Sequence, residues 1–133
     1  MAILLTGGAG YIGSHVLVKL LQARINVVVI DNFSNSNPEV FNRIKAITNQ
    51  TVNFIHGDIR DAECLKNIFQ NFKINSVMHF AGLKSVRESE ENPAIYFDNN
   101  LIGSKNLLEK MSLANIKSIV FSSSATVYGA PNN

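Results

Sequence analysis

Thr6-Gly7-Gly8-Ala9-Gly10-Tyr11-Ile12-Gly13 has the residue types and the spacing to hold a diphosphate. The segment follows an apolar run over residues 2–5 and leads into a helical pattern, so it lies where a strand hands over to a helix. Glycines at 7, 10 and 13 leave no Cβ in the turn. Backbone N–H groups can then approach a pyrophosphate, and the helix N-terminus adds partial positive charge. Such a triplet alone says little, because glycine-rich turns are common. Here Asp31 also ends the next strand, roughly twenty residues on, where a carboxylate meets the adenosine ribose of a dinucleotide. On its own Asp31 reads as a solvated turn residue; the glycines at the right distance overturn that. Its charge would repel a 2′-phosphate, and no Arg or Lys stands between Asp31 and Arg43 to reverse this. NAD is therefore expected over NADP.

The other candidate groups stand at the ends of later strands. Gly57-Asp58-Ile59 could touch an adenine edge through Asp58 with apolar cover from Ile59, or could equally be a tight turn before a helix cap. Phe80-Ala81-Gly82 offers small residues beside which a ligand can come close to backbone, followed by Lys84. Ser122-Ser123-Ser124 suits a polar site, although one hydroxyl could serve only to cap the turn. His15, His56 and His79 share no metal-ligand spacing with each other or with Cys64, so structural roles are expected and no metal. Cys64, the only cysteine, reads as a small apolar residue on a helix.

The elements that must position these groups alternate. Strands are expected at residues 2–6, 26–31, 51–55, 76–80 and 117–122. The run N-V-V-V-I-D at 26–31 marks a strand covered on both sides. Helices are expected over 11–22, with Ile12, Val16, Leu20 and neighbours on one face, and from Asn37-Pro38-Glu39 to about residue 48. Two more run from the Asp61 cap to about 72 and from Asn92-Pro93 to about 114. Five strands with intervening helices imply right-handed crossovers and a doubly wound parallel α/β sheet of Rossmann type, in order 3-2-1-4-5. The first helix ends at Ala23-Arg24 without a glycine. A left-handed Arg24 would cost on the order of 1 kcal/mol.

The chain of 133 residues is long enough for one cored domain, and its net charge of +2 is scattered. Lys66, Lys73, Lys84 and Arg87 form no run, so no nucleic-acid footprint is expected. No stretch is apolar enough to span a membrane, and the N-terminus enters a strand without a secretory pattern. With one cysteine, a reducing cytoplasm is the expectation.

Residues 6–13, 31–36 (D-N-F-S-N-S), 57–61 (G-D-I-R-D), 79–84 (H-F-A-G-L-K), 98–100 and 122–129 (S-S-S-A-T-V-Y-G) stand together in register. On these motifs the chain resembles the extended short-chain dehydrogenase/reductase superfamily, and within it the UDP-glucose (UDP-galactose) 4-epimerases. Related dehydratases usually carry acidic residues soon after the strand-5 Ser/Thr, where this chain has Ala125 and Thr126. The resemblance implies an NAD-dependent isomerase in which hydride leaves and returns at C4 of a UDP-hexose. It also implies residue roles. Gly7, Gly10, Tyr11, Ile12 and Gly13 match the pyrophosphate turn; Asp31, Asn32, Asn35 and Ser36 match the ribose loop; Asp58 and Ile59 match the adenine pocket. Phe80, Ala81, Gly82 and Lys84 match the segment along the cofactor's middle, Asn99 and Ser122 the nicotinamide side, and Ser124 the hydroxyl that meets the sugar's 4-oxygen.

The family's reaction uses a Tyr-x-x-x-Lys pair, and none of the tyrosines supplies it. Four residues after Tyr11, Tyr96 and Tyr128 stand His15, Asn100 and Asn132. The expectation is an incomplete NAD-binding domain over residues 1–133, without a C-terminal substrate domain and without turnover of its own. An uncovered last strand (Ile119, Val120, Phe121) and apolar helix positions (Leu101, Leu107, Leu108, Met111) would then favour a homodimer or larger assembly. Two other functions remain open: a nucleotide-binding or assembly module, and a dehydratase, decarboxylase or reductase sharing the cofactor half. Ser124-Ala125-Thr126 disfavours the latter.

Overall fold

The computed structural model describes residues 1–129. Asn132 and the side chains of Ala125 and Thr126 lie outside the described residues. Strands β1 (Ala2–Thr6), β2 (Val27–Asp31), β3 (Asn53–His56), β4 (Ile74–His79) and β5 (Ile119–Phe121) form one parallel sheet, ordered β3-β2-β1-β4-β5. Alternate residues of each strand point to opposite faces, which divides the core in two. Leu4, Val28, Ile30 and Val77 pack with Leu65, Ile68, Leu107 and Met111. On the other face Leu5, Val27 and Val29 pack with Leu17, Leu21, Phe41 and Ile44. Helices α1 (Tyr11–Gln22) and α2 (Glu39–Thr48) thus cover one face. Helix α3 (Ala62–Asn71) covers the other, joined by the long helical stretch before β5.

That stretch is less regular than the expected single helix. A short helix α4 (Val86–Glu91) precedes it, then come α5 (Pro93–Tyr96), a π-helical segment (Phe97–Ile102) and α6 (Gly103–Leu113). The signal for α4 was present as S-x-x-E: Ser85 Oγ accepts from the Glu88 N–H. Asn92, preceding a proline, departs from helical geometry and separates α4 from α5. A 3₁₀ turn (Ala125–Tyr128) follows β5.

Two packing expectations change. The buried face of α1 is Gly13, Leu17 and Leu21, while Ile12 is exposed and Val16 and Leu20 are half-buried. The rotation follows from Gly13, whose absent side chain lets the helix settle onto the turn below it. Leu107 and Met111 lie in the chain's own core; Leu101 and Leu108 face outward. The helix ends follow local chemistry. Arg24 adopts φ 58°, and the Arg24 and Ile25 amides donate to Leu21 and Leu20 carbonyls. This closes α1 in a Schellman motif without glycine. Asn115 closes α6 in the same way.

Candidate functional site

Parallel strands bring their carboxyl ends to one edge, and the order reverses between β2-β1 and β4-β5, opening a crevice there. It is lined from every strand end but β5's, by residues including Gly7 and Gly10, Asp31, Asp58, and Phe80 to Leu83, with Asn99 from the π-helical segment.

The floor is the turn between β1 and α1. Gly7 has φ 70°, and a Cβ there would meet the Ala81 nitrogen at 2.6 Å. Bare backbone therefore lets the turn lie against the segment after β4. A Cβ on Gly13 would fall on the Gly7 carbonyl oxygen, so helix and turn can meet only through glycine. At the start of α1, Gly10 offers no side chain to cap the helix, and the first turn holds no acidic residue. The amides of Tyr11, Ile12 and Gly13 are left without intrahelical partners. By contrast, Asp61 caps α3 by accepting from Glu63 and Cys64, and Asn37 accepts from Glu39 at the start of α2. An uncapped helix end facing a crevice is suited to an anion. The Tyr11 side chain points to solvent, against His15 at a ring separation of 4.8 Å. Tyr11 and Ile12 can therefore serve the turn through their amides.

Asp31 joins this turn to the loop after β2. It is buried, one carboxylate oxygen accepting from the Ala9 amide at 2.9 Å. The other accepts from the Phe33 amide at 2.9 Å and the Ser36 hydroxyl at 3.0 Å. Asn32 repeats the turn by accepting from Ser34. Phe33 takes φ 56°, and its ring packs edge-on against Phe41 and Phe54. Those contacts offset a left-handed conformation costing about 1–2 kcal/mol. The loop is thus shaped before any ligand arrives.

Asp58 is fully engaged. Its oxygens accept from the Arg60 amide and guanidinium and from the Asn32 amide nitrogen. The Arg60 bonds hold its pKa down to about 2, well below the ordinary 3.8. Arg60, bonded also to Asp98 at 2.9 Å, is held above its usual range. Ile59, buried beside it, gives the crevice an apolar wall. Burial and the neighbouring Asp61 push the Cys64 thiol upward, the setting of an inert thiol.

The far wall is tied together by Asn100, which accepts from the Leu83 amide and donates to the Leu83 carbonyl. Asn99, nearly buried and bonded to Asn100 Oδ1, faces the crevice. His79, at the end of β4, is 2% exposed and bonded to Thr6 and Ser104. Burial, with Lys84 nearby, lowers its pKa to about 4.

The family model described as GDP-mannose 4,6 dehydratase matches residues 4–133. The chain belongs to the GDP-mannose 4,6 dehydratase family. A UDP-glucose 4-epimerase of Yersinia enterocolitica is 59% identical over 131 residues, covering 98% of this chain and 39% of that protein. The structure of UDP-glucose 4-epimerase from Stenotrophomonas maltophila, with bound NAD and formylated UDP-arabinopyranose, superposes with a TM-score of 0.95 at 47% identity. It is covered over 40% of its length by the whole of this chain. The Bifidobacterium longum enzyme in complex with NAD+ and UDP gives 0.95 at 44% identity, again with 40% of its length covered. The chain spans about two fifths of the length of these relatives, 39% of the Yersinia protein.

In this member of the GDP-mannose 4,6 dehydratase family, most of the expected site residues share one crevice. Gly7, Gly10, Asp31, Asn32, Asn35, Ser36, Asp58, Ile59, Phe80, Ala81, Gly82 and Asn99 all line it. Tyr11, Ile12, Gly13, Lys84, Ser122 and Ser124 do not. Lys84 is exposed, and Ser122 donates its amide to the His79 carbonyl beside the sheet. Four further residues line the crevice: Ile30, Ser34, Gly57 and Leu83. Ser34 and Leu83 lie inside the motifs D-N-F-S-N-S and H-F-A-G-L-K, so adjacency alone could have flagged them.

Proposed function

We propose that this chain is the NAD-binding part of a UDP-glucose 4-epimerase. The observation that carries this is the uncapped start of α1, set in a glycine cradle opposite a buried, pre-shaped carboxylate at the switch point of the sheet. The amides of Tyr11, Ile12 and Gly13 would receive the pyrophosphate, with Gly7 and Gly10 giving it room. Asp31, with Asn32, Asn35 and Ser36, would take the adenosine ribose, and Asp58 with Ile59 would border adenine. Asp58 already accepts four hydrogen bonds, so Ile59 would supply most of that contact. Phe80, Ala81, Gly82 and Lys84 would follow the middle of the cofactor, Asn99 and Ser122 its nicotinamide side, and Ser124 the sugar oxygen. When bound, NAD supplies the hydride acceptor and donor for C4 of the sugar. The protein residues here bind and orient; an acid–base group must reach the proton it moves, and no Tyr-x-x-x-Lys pair occurs in these 133 residues. The chain by itself is expected to show no turnover.

The family description favours a dehydratase as the second reading. Relatives at 59, 54, 52 and 49% identity are UDP-glucose 4-epimerases, which supports the first. Among the described residues no helix is long and apolar enough to cross a membrane. The exposed Phe97, Leu101 and Leu108 support self-association, and a monomeric mass at micromolar concentration in light scattering would count against it. Calorimetric titration with NAD, NADP and ADP-ribose tests the cofactor. NAD should bind and NADP should bind at least tenfold less tightly, as a buried carboxylate opposing a phosphate requires. Equal affinity for ADP-ribose would mean that the nicotinamide side contributes nothing; absence of binding by both NAD and ADP-ribose refutes the assignment.

A further inference from the structure

A chain of four hydrogen bonds runs beneath the crevice and has only one consistent direction. The Ala81 amide donates to Thr6 Oγ1 at 3.1 Å. Thr6 Oγ1 lies 2.6 Å from His79 Nδ1, and His79 Nε2 lies 2.9 Å from Ser104 Oγ. The Ser104 hydroxyl donates to the Asn100 carbonyl at 2.6 Å. That carbonyl can only accept, so the one Ser104 hydrogen is spent there. Ser104 Oγ must therefore accept from His79, which requires the proton on Nε2. A neutral imidazole then presents a bare Nδ1, which takes the Thr6 hydrogen. Every group in the chain is satisfied in this arrangement alone. A second proton, on Nδ1, would turn that nitrogen into a donor and strand the Thr6 hydrogen on a side chain with 0% exposure.

We infer that His79 is a positioning residue for the dinucleotide crevice, a neutral Nε2–H imidazole that ties the Ala81 backbone to the π-helical segment carrying Asn99. The inference rests on the cofactor reading above for its functional half. Ala81 is the backbone against which Gly7 seats, and Asn99 lines the same crevice from the π-helical segment, so the relay fixes the relative position of two lining segments that a dinucleotide would touch together. The π-helical geometry suits this: such bulges often mark functional sites, and here it turns Asn99 to the crevice while Asn100 clamps Leu83.

Two measurements test it. In long-range ¹H–¹⁵N spectra of the histidine-labelled chain without ligand, His79 should show one neutral tautomer, protonated at Nε2, from pH 7.5 to 5.5. An Nδ1–H tautomer, or titration near 6.5, overturns the relay. For function, NAD affinity is measured on His79→Phe and His79→Asn. Phe keeps the volume but removes the acceptor of the Thr6 hydrogen and the donor to Ser104 Oγ; NAD should bind roughly 5- to 30-fold more weakly, the equivalent of one or two lost hydrogen bonds. Asn places an acceptor near the Nδ1 position and should recover most of that loss. Unchanged NAD affinity in a folded His79→Phe chain, or no rescue by Asn, overturns the positioning role. If the unsubstituted chain binds no NAD, the cofactor reading and the functional half of this inference fall together, while the ligand-free tautomer still decides the relay.

Discussion

Asp31→Asn separates a residue that only meets a ligand from one that also builds its site. Both carboxylate oxygens are in use: one accepts from the Ala9 amide, the other from the Phe33 amide and the Ser36 hydroxyl. An asparagine of the same shape has one acceptor oxygen. Whichever way it turns, its NH₂ faces a backbone N–H in a site where Asp31 is only 8% exposed. The loss is a charge-assisted hydrogen bond and an unsatisfied buried donor, about 2–4 kcal/mol in all. That is a large share of the roughly 5–15 kcal/mol by which domains are stable. Asp31→Ala, which leaves both amides unpaired, should cost more, and Ser36→Ala, at a part-buried hydroxyl, about 1 kcal/mol or less. Urea unfolding at pH 7, with the m-value checked for constancy, measures all three. A loss below about 0.5 kcal/mol for Asp31→Asn, or a larger loss for Ser36→Ala, would refute the argument that this carboxylate holds the turn and the loop together.

Gly13→Ala would drive a methyl group into the Gly7 carbonyl, with the Gly8 Cα only 3.0 Å away. A loss of about 1–3 kcal/mol or more is expected, and unchanged melting with unchanged NAD affinity would contradict it. Arg24→Gly should stabilise the chain by about 0.5–1 kcal/mol, because φ 58° carries a side-chain penalty that glycine lacks; a lowered melting temperature would show that the arginine makes a compensating contact. His79 gives stability a pH dependence. Its pKa falls from 6.5 unfolded to about 4 folded, so the unfolded chain binds the extra proton. Stability is full above pH 6.5 and declines as pH falls toward 4, by on the order of 3 kcal/mol. Asp58 acts lower, between its ordinary 3.8 and about 2. Urea midpoints between pH 7.5 and 4.5 check this; a flat profile across that window excludes a buried neutral His79.

The sheet order was legible because each strand carries its own signal, crossovers are right-handed, and the glycine turn after β1 points to the dinucleotide-binding order. N-V-V-V-I-D could only be a strand covered on both sides, and β2 is buried along its whole length. Helix orientation was less legible. Apolar residues occupy most positions of α1, so periodicity did not separate the Ile12-Val16-Leu20 stripe from Leu17 and Leu21; Gly13 decides between them by contact, which spacing does not encode. The break into α5, the π-helical segment and α6 has a similar cause. Asp98, Asn99 and Asn100 are weak helix formers, but their types do not specify a π-helical segment, in which Asn100 holds the Leu83 backbone seventeen residues away.

The crevice shows the same division between what a motif carries and what only the fold supplies. Glycines and Asp31 were readable because their chemistry is tied to a spacing along the chain. His79 was read as structural for want of metal-ligand spacing, and in the fold it is buried between two hydroxyls. What spacing could not show is that those partners are Thr6, seventy-three residues away, and Ser104, whose own hydrogen goes to the Asn100 carbonyl. Proton direction is fixed at one end by a carbonyl that only accepts and at the other by the burial of the Thr6 hydroxyl, whose hydrogen needs a bare Nδ1. A buried histidine between two hydroxyls can adopt either tautomer in isolation. Here the Asn100 carbonyl, by taking the Ser104 hydrogen, leaves it one, and the relay joins Ala81 to the segment of Asn99, both of which line the crevice.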